Sequence, residues 1–200
     1  MIRRLTAMVA LLLAAAVASS VPATTMLQLN LDGLVVRAER IYRGTIVKIE
    51  PGSKQIGGGE IPTLTYTIRV DEAFKGSFEV RKGQQMEILT TLGKQPPVTV
   101  GESRRLVSLL GMPQMEVGGT YLLFATKRSA AGLSAPVGLG QGCFRVLPKN
   151  GGEIAENEFA NTGLFRGLEV AGLEAEGPVP YHRLASEIRR SLERIREVGP

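Results

Sequence analysis

An uncharged segment spanning residues 5–20 is the feature that most limits which part of this chain can fold. Arg3 and Arg4 precede it, and leucines at positions 11–13 lead into a run of alanines. The segment has the length of a signal-peptide core, and it is too short, with the wrong flanks, for an ordinary membrane-spanning helix. The first residues are therefore predicted to direct export and not to join the folded domain.

The residues that follow fit a signal-peptidase site. Val-Pro-Ala at positions 21–23 places small residues where the peptidase reads them, so we predict cleavage after Ala23, with Ala18 as a second candidate. An uncleaved N-terminal anchor is the alternative. No cysteine follows the apolar run to carry a lipid. Residues 1–23 are the predicted signal peptide, and the predicted destination is the periplasm or the medium.

The exported part has a mild, evenly mixed charge. Without Arg3 and Arg4, 22 of the 24 basic residues face 19 acidic residues, a net charge of about +3. This excess gives only weak attraction to anionic partners, so nucleic-acid binding is not expected. No membrane span is expected once the signal peptide is cleaved. About 177 residues suffice for one domain with a real core.

Cys143 is the only cysteine in the chain. No intramolecular disulfide can form, so the stability of the exported domain must come from its core. Free cysteine is among the most buried residue types, and Cys143 lies in a segment that is typical of a strand, so we predict that it is buried. Pairing with another chain is the alternative.

Alternating and β-branched patterns predict a mainly β domain. In the second strand Tyr66, Ile68 and Val70 are expected to face the core. Pro51-Gly52-Ser53 is expected to end the first strand, and glycines at 138, 140 and 142 to interrupt the last. The predicted strands cover residues 41–50, 64–70, 85–91, 120–125 and 137–147.

Helical spacing appears only near the two ends. Residues 27–39 are predicted to form a short helix with Asp32 as its N-cap and with Leu31, Leu34, Val35 and Ala38 on its apolar face. A final helix is predicted to start after Pro178 or Pro180. Its apolar stripe consists of Leu184, Ile188, Leu192 and Ile195. We therefore divide the chain into the signal peptide, a β domain over 24–148, and a glycine- and acid-rich extension with this helix over 149–200. In that extension Phe159, Leu164 and Phe165 are the expected core contacts.

Several short motifs resemble a group of uncharacterised exported bacterial β-rich proteins. They are the helix-to-strand opening over residues 34–47, the strand ending at Lys75-Gly76, the Gly-Gly turn before the strand at 120, and the glycine-rich run 138–146. The opening is also similar to OB-fold domains of the tissue metalloproteinase inhibitor and netrin type. This likeness implies a small OB-like barrel of five or six strands, which binds through its loops and one open face. Those domains rely on disulfides near the N-terminus, so inhibitory activity is not carried over.

No catalytic or metal-binding motif emerges. The only cysteine–histidine pair, Cys143 with His182, lacks a surrounding motif, and no serine stands in a nucleophile elbow. One histidine and one cysteine cannot fill a usual zinc shell, and Gly57-Gly58-Gly59 lacks the lysine of a phosphate loop. No catalytic residue, metal or cofactor is therefore assigned.

Two hypotheses for function follow. The first is a non-catalytic binding or protein-interaction module of the cell envelope or exterior, with a protein or small-molecule partner. Its contacts are expected from loops 57–62 and 95–105 and from the glycine strip; the predicted contact residues are Gln95, Arg104, Arg105, Gly140, Gln141 and Gly142. The alternative is an envelope hydrolase with a carboxylate-based site drawn from Glu60, Asp71 and Glu102.

Overall fold

A computed structural model describes residues 27–93, 112–170 and 176–198, with the backbone of 98–100 and 103–105. This part of the chain contains two helices, α1 (Leu31–Arg37) and α2 (Tyr181–Val198), and a 3₁₀ turn over Leu139–Gly142. Its strands are β1 (Arg40–Ile56), β2 (Gly59–Lys75), β3 (Glu79–Arg81), β4 (Gln84–Leu92), β5 (Val98–Val100), β6 (Ser103–Arg105), β7 (Thr120–Ala125), β8 (Cys143–Lys149), β9 (Gly152–Asn157) and β10 (Val179–Pro180).

Eight of these strands form one antiparallel sheet in the order β10-β9-β8-β7-β1-β2-β4-β3. Strands β5 and β6 form a separate hairpin. The predicted mainly β fold with a short helix near the N-terminus and a second at the C-terminus is confirmed. Among the described strands no pairing joins β3 to β10, so the sheet is open.

Both faces of the central strands are buried. Along β7, Leu122 and Phe124 point to one face, while Tyr121 and Leu123 point to the other, as the two-residue period of a strand requires. On the first face, which we call the helix-side core, α1, α2 and Leu164 cover the sheet. The second face, the inner core, packs residues of β1, β7 and β8 against residues of β2 and β4. The predicted inward positions Tyr66, Ile68 and Val70 lie there.

Helix α1 has the predicted apolar face but a different cap. Leu31, Leu34, Val35 and Ala38 are all buried in the helix-side core. The N-cap is Asn30, whose side chain accepts from the backbone N–H of Gly33 at 2.9 Å.

The expectation that Asp32 caps α1 is therefore wrong. Asp32 lies in the first turn, where its charge suits the helix dipole, and its carboxylate pairs with Arg194 at 2.7 Å and accepts from Ser191. It fastens α1 to α2 and does not begin α1.

Helix α2 starts at Tyr181, directly after Pro180, and carries the predicted stripe. Leu184 and Ile188 are fully buried in the helix-side core, and Leu192 and Ile195 pack against it. Polar contacts at the sheet surface hold the start of the helix. Arg43 forms a bidentate pair with Glu153 and lies over the Tyr181 ring at 4.6 Å, and the Tyr181 hydroxyl donates to Glu72.

The first strand does not end at Pro51. Strand β1 continues to Ile56, with Pro51 opposite Leu64 of β2. The pairing of β1 with β7 ends at Thr45, and two further backbone hydrogen bonds join Ile46 to Gly118 and Gly119. Beyond Ile46 the described residues supply a ladder on one side only. Proline is tolerated in a strand where its missing N–H is not needed by a neighbour.

The last predicted strand begins later than expected. Residues 139–142 form the 3₁₀ turn, and the strand itself starts at Cys143. A Cβ on Gly142 would lie 2.5 Å from the carbonyl oxygen of Val137, and one on Gly140 would lie 2.6 Å from a Glu158 carboxylate oxygen. These glycines admit close approach by other parts of the same chain.

Three further differences complete the comparison. The expected binding loop over 95–105 contains the β5–β6 hairpin, and the extension contains β9. Leu164 and Phe165 are buried as expected, whereas Phe159 is exposed. No helix within residues 27–93, 112–170 and 176–198 is long and apolar enough to cross a membrane.

Candidate functional site

The predicted contact residues fall in two different places. Gln95 lies outside the described residues. Arg104 and Arg105 lie on β6, where they pair with Thr99 and Val98 of β5. Gly140, Gln141 and Gly142 form the 3₁₀ turn and are buried.

Gln141 has a clear role within its own chain. Its side-chain oxygen accepts from the backbone N–H of Leu29 at 2.8 Å, and its side-chain nitrogen donates to the carbonyl of Leu27 at 3.0 Å. Gln28 and Asn30 donate to carbonyls of the 159–168 region nearby. The turn therefore holds the segment that leads into α1, and a role in partner binding stays a prediction.

The predicted binding loops and the glycine strip lie at different ends of β1. The 57–62 loop is at the far end of β1 and β2, and Gly93, where the chain enters the 95–105 region, donates to the carbonyl of Pro62 at 2.8 Å. The 3₁₀ turn adjoins Cys143, which pairs with Leu123 close to the Arg40 end of β1. Most of the length of β1, roughly 50 Å along the strand, lies between these ends.

The carboxylates of the alternative site are not brought together in the described residues. Glu60 and Asp71 stand eleven residues apart on the single strand β2, roughly 35 Å along it. Glu60 accepts from Ser53, and Asp71 pairs with Arg69 and accepts from Thr45. Glu102 lies outside the described residues. A pair built from Glu60 and Asp71 is therefore excluded by their separation.

The cysteine and the histidine lie on different faces of the sheet. Cys143 is buried in the inner core, whereas α2 packs on the helix-side core and exposes His182. The predicted burial of Cys143 is confirmed. Burial raises the pKa of its thiol, with a smaller contribution from Glu158, so the reactive thiolate is disfavoured. No group of three or more metal-ligating acidic, histidine or cysteine side chains occurs in the part of the chain that the structure describes.

A segment that we call the crossing segment, residues 126–137, links β4 to the end of β7. The backbone N–H of Ser134 donates to the carbonyl of Thr90 on β4 at 2.9 Å, and that of Val137 donates to Phe124 on β7 at 2.7 Å. Ser134 also donates its hydroxyl to the carbonyl of Thr126 at 2.7 Å. The segment thus spans two strands that are not neighbours in the sheet.

A buried charge cluster fastens this segment to the sheet. Glu87 of β4, with a side chain only 3 % exposed, accepts from Nη2 of Arg128 at 2.7 Å and lies 3.3 Å from Nε of Arg40. Arg40 donates through Nη2 to the carbonyl of Thr126 and the hydroxyl of Ser134, and Arg128 donates to the carbonyl of Ile88. One carboxylate therefore holds a cation from β1 and a cation from the crossing segment.

Burial dominates the electrostatics of this cluster. Loss of water raises the pKa of the Glu87 carboxyl, and the attraction of Arg40 and Arg128 offsets only part of that effect. The Tyr42 hydroxyl is fully buried and has no hydrogen-bond partner among the described residues, and burial together with the charge of Glu87 raises its pKa well above the ordinary value. The inner core thus places polar groups in an environment that disfavours ionisation.

The cluster forms the wall of an open crevice of about 220 Å³. The crevice is lined by the start of β1, the turn after β2, parts of β3 and β4, and the crossing segment. Its residues are Glu39, Arg40, Gly76, Ser77, Glu79, Met86, Glu87, Ile88 and Arg128. Pockets that combine fixed charges with a carboxyl of raised pKa are candidate functional sites. We refer to it below as the charged crevice.

Sequence reasoning did not single out the charged crevice, although one signal was available. In β4 the alternation that buries Leu89 and Thr91 also turns Glu87 inward. A charged residue at an inward position requires a buried partner.

No protein-family model, curated protein or solved structure matches this chain.

Proposed function

We propose that the chain is an exported, non-catalytic binding or interaction module of the cell envelope or exterior. The N-terminal apolar segment supports export to the periplasm or medium. A small OB-like barrel of five or six strands is the form we propose for the β domain, supported by the way the crossing segment links β4 to β7. The observation that carries the binding proposal is a projecting hairpin at the far end of β1 and β2.

This hairpin, which we call the arm, comprises residues 53–62. Ser53 pairs with Pro62 and Ile56 with Gly59, while the pairing of β2 with β4 begins only at Thr63. All of its residues are exposed or half-buried. Within the described residues the arm is therefore a two-stranded ribbon that extends past the end of β4.

A ribbon of this kind contributes little to the core. Two-stranded hairpins are marginally stable in water, because they bury too little apolar surface to offset the ordering of their backbone. Binding segments are commonly carried on such surface elements by a rigid scaffold. The arm therefore presents backbone edges and the half-buried side chains of Ile56 and Ile61 to a partner, in line with the binding loop predicted at 57–62.

The arm can be removed without disturbing register. Gly52 and Thr63 are cross-strand partners, so replacing residues 53–62 with Asn-Gly closes the hairpin with a two-residue turn. We expect affinity capture from the envelope and medium of the source cell to recover a stoichiometric partner with the full chain and to lose it with the shortened arm. Glu193→Ala, on the exposed side of α2, is the matched surface control.

Circular dichroism must show that the shortened chain keeps its fold. Equal recovery of the partner by the shortened chain would remove the arm from the binding surface. Recovery of no partner by the full chain, from either fraction, would count against the interaction module as a whole. Sequencing the exported protein from its N-terminus checks the export step, and a start at Thr24 is expected.

The charged crevice favours a second candidate function, the envelope hydrolase. A buried carboxyl with a raised pKa suits a general acid, and Glu79 lines the same crevice as Glu87. Against this function, Glu87 already accepts from Arg128 and lies beside Arg40, which is the arrangement of a structural ion pair. A hydrolase screen that compares the wild-type chain with the Glu87→Gln variant separates the two functions. Activity that the wild type shows and the folded variant lacks would favour the enzyme.

A further inference from the structure

We propose that the folded domain shields its own signal-peptide junction, so the signal peptide must be removed before the start of the domain docks. The inference rests on the proposed export and adds an order of events to it. Residues 27–30, which we call the docked segment, carry it. They lead into α1, and only three residues separate Leu27 from the predicted scissile bond after Ala23.

The 3₁₀ turn before β8 holds the backbone of the docked segment through one side chain. The buried Gln141 accepts from the N–H of Leu29 at 2.8 Å and donates to the carbonyl of Leu27 at 3.0 Å. A neighbouring strand would take the same two backbone groups, because they point to the same side of an extended chain. While Gln141 holds them, no second protein can pair with this stretch of backbone.

The turns that follow β9 hold the side chains of the docked segment. Gln28 donates to the carbonyl of Thr162 at 2.7 Å and accepts from Arg166. Asn30 donates to the carbonyl of Arg166 at 2.9 Å. A Cβ on Gly163 would lie 2.5 Å from Nε2 of Gln28, so the backbone of this turn closes on the segment. The docked segment is therefore fixed from two sides.

A peptidase cannot surround a bond this close to a docked segment. Cleavage adds water across the Ala23–Thr24 amide, which leaves a carboxylate on Ala23 and an amino group on Thr24. An extended peptide is commonly bound through its backbone along several residues, so the enzyme needs room on both sides of the bond. Three extended residues span at most about 10 Å. Cleavage of the folded chain therefore waits until residues 27–30 undock.

Sequence separation gives the required order of events a window of time. Gln141 lies 112 positions after Leu29, and Arg166 lies 136 positions after Asn30. These contacts form only once most of the chain has been exported and has folded, because contacts between distant parts of a chain form late. The junction precedes its docking partners along the chain and is open to the peptidase until they arrive. A chain that folds first keeps its apolar segment.

Cleavage of the purified full-length precursor by a signal peptidase in detergent tests this order. A spacer of about six glycine and serine residues, inserted between Thr25 and Met26, moves the scissile bond away from the domain and leaves the docked segment unchanged. We expect the folded wild-type precursor to be cut at least about tenfold more slowly than the spacer variant. The same spacer between Gly57 and Gly58, at the tip of the arm, is the matched control and should leave the slow rate unchanged.

A substitution tests the contact that fixes the backbone. Gln141→Ala removes both hydrogen bonds to the docked segment, so the folded variant should be cut faster than the wild type. Gln114→Ala, at an exposed glutamine, is the matched control and should be cut at the wild-type rate. Circular dichroism shows whether each precursor is folded, and N-terminal sequencing shows where it was cut.

The outcomes separate this inference from the export on which it rests. Equal rates for the folded wild type and the spacer variant overturn the shielding and leave the signal peptide standing. Equal acceleration by the spacer at the tip of the arm overturns the shielding as well, since the distance from the docked segment would then be irrelevant. Failure of every precursor to be cut, including the wild type loosened in mild urea, overturns the predicted cleavage and this order of events together.

Discussion

At the scale of single residues, Glu87 is a carboxyl that the fold removes almost completely from water. Its side chain is 3 % exposed, and the guanidinium groups of Arg40 and Arg128 are its ionic partners. Because desolvation outweighs these partners, its pKa is raised from the ordinary value of 4.5. The folded protein therefore holds a proton on Glu87 more tightly than the unfolded chain does.

This difference makes stability depend on pH with a definite sign. The protonated carboxyl contributes stability that is fully present below pH 4.5 and is lost as pH rises through the raised pKa. Glu87→Gln lacks a titrating group, so the wild-type free energy of unfolding should fall relative to that of Glu87→Gln as pH rises towards neutrality. Urea unfolding across this range measures it, with Glu60→Gln on the arm as control. A difference between wild type and Glu87→Gln that is constant with pH would contradict the prediction.

Cys143 makes a second prediction at this scale. The thiol is buried in the inner core with its pKa raised by burial, and only the thiolate attacks disulfide reagents. Native protein should therefore react with a chromogenic disulfide orders of magnitude more slowly than protein unfolded in guanidinium. Time-resolved absorbance gives both rates. Comparable rates in the two states would show that the thiol is accessible in the folded protein and would contradict the prediction.

At the scale of elements, the 3₁₀ turn before β8 depends on two glycines in unequal ways. Gly142→Ala sets a Cβ 2.5 Å from the carbonyl oxygen and 3.0 Å from the nitrogen of Val137, both backbone atoms that cannot move freely. Gly140→Ala meets Glu158 first, whose exposed carboxylate can swing away. We expect Gly142→Ala to cost about 2 kcal/mol of unfolding free energy and Gly140→Ala much less. Equal costs in denaturant titrations would refute this reading of the turn.

Elements with a strong internal pattern could be predicted from the sequence. The continuous apolar run at 120–125 is β7 over Thr120–Ala125, and the stripe from Leu184 to Ile195 is buried on α2 as spacing requires. The predictions failed where contacts with distant parts of the chain decide the local structure. Pro51 is tolerated because β7 stops pairing with β1 at Thr45, and Asn30 rather than Asp32 caps α1 because α2 engages Asp32.

At the scale of the whole molecule, the charged crevice lay beyond prediction for the same reason. Arg40, Glu87 and Arg128 are far apart in sequence and meet only because the crossing segment spans from β7 to β4. Single-sequence patterns report local periodicity and do not report which distant charge satisfies an inward-facing carboxylate. The three glycines at 57–59 predicted a loop at the tip of the arm. The length of the arm could not be predicted, because it depends on where β4 ends.

The sheet also bears on the proposed division at residue 148. Strands β8 and β9 pair across that boundary, from Phe144 opposite Asn157 to Lys149 opposite Gly152, and α2 covers Phe124 and Phe144 in the helix-side core. Removing residues 149–200 would expose this face and the edge of β8 to water. We therefore expect a chain that stops at Pro148 to lack a cooperative unfolding transition.

Substitutions in the two cores should report on the same transition. Leu123→Ala in the inner core and Ile188→Ala in the helix-side core should each lower the global free energy of unfolding by about 3 kcal/mol. Near- and far-ultraviolet circular dichroism should follow one shared transition in both variants, because β7 carries both cores on its two faces. Separate transitions, or cooperative folding of the chain that stops at Pro148, would establish residues 149–200 as an independent unit laid on a self-sufficient β domain.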